Sequence, residues 1–85
     1  MSLPIGAKDR DPFFFFVKDG LIVHTLKPER WGTNICEDAA HSQGNCDMWA
    51  YRYDSWIRYN RKAGQFDIML DWQVPEVLKL ALMME

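Results

Sequence analysis

Eighty-five residues, 48% hydrophobic, 14% aromatic and 26% charged, are too apolar for a disordered chain and near the size at which one core only just suffices. A formal charge of −2 argues against a general polyanion binder and against charge-driven membrane binding. No apolar run approaches the roughly 18–20 residues of a membrane span, and no signal-peptide layout opens the chain, so no membrane association is expected.

Two cysteines, Cys36 and Cys46, exclude a disulfide-rich scaffold. Reduced thiols in a cytoplasmic protein are the expectation; a single bridge closing a short loop is the alternative in an oxidising compartment.

In chain order, a polar lead-in precedes Asp11-Pro12. Phe13–Val17 and Leu21–Leu26, flanking Lys18-Asp19-Gly20, read as a β-hairpin. Side chains alternate across a strand, so four consecutive phenylalanines require a strand buried on both faces or lending one to another subunit. His24, beside Val23 and Leu26, is expected to be a partly buried structural residue. Lys27–Gly32 breaks the strand, and the stretch to Asp47 reads as an irregular acidic connector with a turn or two of helix over Cys36–Ala40.

Trp49–Lys62 concentrates aromatic and basic residues: Trp49, Tyr51, Tyr53, Trp56 and Tyr59 among Arg52, Arg58, Arg61 and Lys62. Asn60–Gly64 is a hairpin-turn signal, and the density of Tyr and Trp favours strands over a helix spanning Trp49–Ala63. Phe66, Ile68, Leu70 and Trp72 alternate with Asp67, Met69 and Asp71, as a strand buried on one face should. Pro75 then opens an apolar helix through Met83, which is expected to need cover on most sides and to invite dimerisation. Met83-Met84 is read as core or interface filler. The whole, residues 1–85, is expected to be a single small α+β domain: a small antiparallel sheet, made of the N-terminal hairpin and a meander, with the C-terminal helix packed on it.

Charge is uneven. Glu29–Asp47 carries one cation against four anions, and Arg52–Lys62 four cations against one anion. Aromatic rings beside guanidinium groups often make contact surfaces. Trp49, Tyr51, Arg52, Tyr53, Arg58, Tyr59, Arg61 and Lys62 are therefore the candidate ligand- or partner-binding residues. The competing expectation is that the rings face the core and the arginines pair with Asp54, Asp67 and Asp71.

Cys36-x4-His41-x4-Cys46 matches the last three ligands of a zinc knuckle, but Thr33 stands where the first cysteine belongs. A catalytic reading would take Cys36 or Cys46 as nucleophile, His24 or His41 as base, and Glu37, Asp38 or Asp47 as the acid. No nucleophile elbow, phosphate-cradling loop, HExxH helix or cofactor fingerprint supports it. The sequence thus favours a non-enzymatic interaction module acting by protein–protein contact as a homodimer, with no cofactor, no metal and no catalytic residues. Single-stranded nucleic-acid binding through an aromatic-basic sheet face and a zinc-stabilised module are the alternatives.

Overall fold

The computed structural model describes residues 13–83. The lead-in before Asp11-Pro12 and Met84 lie outside them. Five strands form one antiparallel sheet: β1 (Phe14–Lys18), β2 (Leu21–Leu26), β3 (Asp47–Arg52), β4 (Ser55–Asn60) and β5 (Gln65–Ile68). Helix α1 (Thr33–Ser42) joins β2 to β3, and helix α2 (Glu76–Met83) follows β5. The spatial order is β2-β1-β3-β4-β5. The α+β class, the N-terminal hairpin, the meander and the packed C-terminal helix are all present, and Trp49–Asn60 is a strand pair rather than a helix.

β1 lies between β2 and β3, and its alternation sets the plan of the molecule. Phe14 and Phe16 join the core beneath α1, with Met48, Ala50, Ile57 and Tyr59 from the sheet and Cys36, Ala39 and Ala40 from the helix. Phe13, Phe15 and Val17 join a second core on the opposite face, with Trp49, Trp56, Val74 and Leu78. The phenylalanine run thus buries both faces within one chain: Phe13–Val17 are all buried.

Both two-residue hairpin turns use left-handed backbone. Asp19 and Gly20 have φ of 53° and 77°, and Tyr53 and Asp54 have 55° and 60°. These are the signs of type I′ turns, whose twist matches the strands they join. Between β4 and β5, Asn60 Oδ1 accepts hydrogen bonds from the Lys62 and Ala63 amides, and Gly64 closes the loop at φ 68°. The Asn and Gly signals therefore act where the sequence placed them.

Three expectations are corrected. The connector is a ten-residue helix rather than an irregular segment with a turn or two. Its inner stripe of Ile35, Cys36, Ala39 and Ala40 is apolar but mostly small, and small side chains let a helix lie close to a sheet already crowded with phenylalanine. The strand expected through Trp72 ends at Ile68, and Asp71–Gln73 forms a 3₁₀ turn. Local bonds outcompete the ladder: the Leu70 amide donates to Gln73 Oε1 at 2.9 Å, and the Gln73 amide to the Leu70 carbonyl at 2.9 Å. Of the alternating set, Phe66 is half-buried, while Ile68, Leu70 and Trp72 are exposed. His24, expected to be partly buried, is exposed on the edge strand β2, its ring 5.4 Å from that of Phe16.

Candidate functional site

α1 covers only part of its sheet face. Where β4 and β5 run beyond the helix, a cleft of about 510 Å³ remains open. Its walls include Trp31, Cys36, Ile57, Tyr59, Phe66 and Ile68, with Arg52 and Tyr53 at one end. A space of this size lined by apolar rings is in the usual range of ligand sites.

Arg52 distinguishes the cleft from a packing defect. It ends β3 on the α1 face, opposite Ser55 across the tight turn. Its guanidinium carbon lies 4.3 Å from the centroid of the Trp31 ring and 5.0 Å from that of Tyr53. Trp31 is itself wedged against Phe14 and Phe66, at 5.3 and 5.2 Å between centroids. The cation is therefore held by a ring that the core holds in turn. Its Nη1 is buried with no hydrogen-bond partner, and among the described residues the ion pair formed is elsewhere, between Lys79 and Asp71. Buried donors are almost always satisfied, so an unpartnered guanidinium nitrogen calls for an explanation.

The structure divides the other candidate residues. Trp49 is only 1% exposed and faces α2, where Arg58 stands over its ring at 5.7 Å. Tyr51 is half-buried on that face and packs edge-on against Trp56. Tyr59 is buried on the α1 face against Phe66. Arg61 is occupied: its Nη2 donates to the carbonyls of Ala40, Gln43 and Cys46, gathering the C-terminal end of α1 and the loop after it. Arg58 and Lys62 are exposed and border a separate polar hollow with Asp47, Asn60 and Asp67. Of the eight, Arg52, Tyr53 and Tyr59 meet in the cleft.

Burial pushes the Cys36 thiol above its ordinary value, against the opposing pull of a backbone hydrogen bond at Gly32 and of the Arg52 charge. Held protonated at neutral pH, it is a poor nucleophile. Burial, and then the Glu37 carboxylate, push the Tyr59 phenol up as well. Cys36 and Cys46 are both free and buried, whereas His41 is exposed. Among the described residues no three His, Cys, Asp or Glu side chains gather as a metal site would require.

No family model matches this chain, and no curated protein or solved structure does either. No helix among the described residues is long and apolar enough to cross a membrane.

Sequence reasoning passed over Trp31, Phe66 and Ile68 as site residues. A signal for Trp31 exists: it stands just before Gly32, the N-cap of α1, with Cys36 at the fourth helical position. Those are the two positions of a hydrophobic staple, and both residues line the cleft.

Proposed function

We propose that this protein is a non-enzymatic binding module that receives a segment of a protein partner in the Arg52 cleft. The observation that carries the proposal is the open aromatic cleft with a cation that has no carboxylate partner among the described residues. Ile68 of the lining is 74% exposed, and Leu70 and Trp72 a few residues further along the chain are exposed as well. Large apolar side chains left in solvent, one of them in the wall of a concave site, suit partner contact better than water. Nucleic-acid stacking has less support, since Trp49, Trp56 and Tyr59 are buried. The two unpaired thiols suit a reducing compartment, and we place the module in the cytoplasm.

Selection from a displayed library of short peptides tests the proposal. The wild-type chain should enrich a shared pattern that a Tyr53→Ser, Ile68→Ser double variant of unchanged melting temperature does not retain. Identical selections by the two proteins would overturn it.

Pairing with a second copy is the other form of contact, and β2 favours it. This edge strand exposes Leu21 and Val23, and α2, which touches it, exposes Leu80. Sedimentation equilibrium should then give twice the 10.0 kDa chain mass, falling to the single mass in a Val23→Lys variant. A single-chain mass at every concentration would remove this form.

A further inference from the structure

We propose that the cleft is a site for a carboxylate carried on an aromatic or branched apolar group, with Arg52 as its anchor. This deepens the contact proposal and rests on it for the source of the ligand, the C-terminal residue of a partner chain.

The chemistry follows from how Arg52 is held. Among the described residues its guanidinium is held by the Trp31 and Tyr53 rings rather than by an acid. Nη1 is the buried nitrogen, so the Nε–Nη2 edge of the planar fork is the side left to donate to a carboxylate. Among the described residues Arg52 is the one cationic side chain in the lining, so a monoanion balances it while a phosphate dianion would bring surplus charge into an apolar cleft. The rest of the lining selects the body of the ligand. Ile57, Phe66 and Ile68 offer apolar surface, and the Tyr59 phenol, protonated at neutral pH as any phenol is, can serve as a donor. Gly32 also lines the cleft, and α1 starts there with no side-chain cap and no acid in its first turn. Its amide end therefore adds to the attraction for an anion.

The position of β5 suggests how a chain terminus would arrive. β5 is the last strand of the sheet, and Phe66 and Ile68 on its α1 face are two of the cleft walls. An extended segment added beside β5 would send alternate side chains toward that same face.

Calorimetric titration of the full chain with three probes tests the inference: a short N-acetylated peptide ending in phenylalanine as the free acid, the same peptide as its C-terminal amide, and 3-phenylpropionate. The free acid should bind, with the amide weaker by roughly tenfold or more. Arg52→Met should weaken the free acid to the level of the amide. Ile68→Asp, a change at an exposed position, should abolish binding by repulsion without moving the melting temperature. Equal binding of acid and amide would overturn the carboxylate site and leave the contact proposal standing. Binding of 3-phenylpropionate but of neither peptide would uphold the carboxylate site and overturn the peptide source. No binding by any probe, or undiminished binding by Ile68→Asp, would overturn the inference itself.

Discussion

Arg52 and Arg61 lie nine positions apart in one basic stretch and have opposite situations. Arg61 spends its donors on three carbonyls of its own chain, whereas Arg52 keeps a buried nitrogen without an acceptor. Residue type and spacing do not separate them, because the difference lies in which carbonyls the fold brings near. That is why the sequence identified the stretch and not the residue. Cys36 beside Arg52 carries a prediction at this scale. Its folded pKa is raised above the unfolded value near 9.0, so its contribution to stability is complete below that value and is lost as pH rises toward the folded value. Tyr59 adds to the same alkaline loss from a higher starting point near 10.0. Urea midpoints should therefore fall as pH rises past about 9, and Cys36→Ala, although less stable overall, should show a shallower decline. Parallel pH profiles for the two proteins would contradict the assignment.

Among the elements, α1 and β5 show what pattern reading can and cannot recover. β1, β2 and the Asn60–Gly64 turn were legible because phenylalanine, Asp-Gly and Asn/Gly signals are strong and local. α1 was harder to see because its inward face is built from cysteine and alanine, which add little contrast to a polar, acidic stretch. β5 read too long for the opposite reason. Leu70 and Trp72 keep the apolar rhythm, but Gln73 bonds back to Leu70 and turns the chain away. The end of α1 depends on a side chain from far along the chain. Arg61→Ala should destabilise the protein by about 2 kcal/mol in urea unfolding, because it leaves three carbonyls short of a donor that carries charge. Arg61→Lys should recover only part of this, since an ammonium lacks the guanidinium reach and planarity. Full recovery by lysine would mean that charge alone, and not the fork, holds the helix end.

At the scale of the whole molecule, two helices on opposite faces of one sheet explain how so short a chain orders two cores. Four adjacent phenylalanines required that β1 bury both faces or lend one to another subunit, and the C-terminal helix was expected on the sheet, but α1 as the second cover was not evident. Leu78 of α2 is fully buried against the sheet. Each face therefore has a large aromatic anchor, and removal of either should be costly: Phe15→Ala on the α2 side and Phe14→Ala on the α1 side should each lose about 3–5 kcal/mol. For a domain of this size that is a large part of the total stability. A loss below about 1 kcal/mol at either position, measured by thermal or urea unfolding, would show that the two cores are not both required.

The central place of β1 also has a consequence for synthesis. A strand made early is flanked on one side by its hairpin partner, but its other edge pairs with Asp47–Trp49, some thirty residues later. The second face waits longer still, for Leu78. As the chain leaves the ribosome, its phenylalanine run precedes the parts that shelter it.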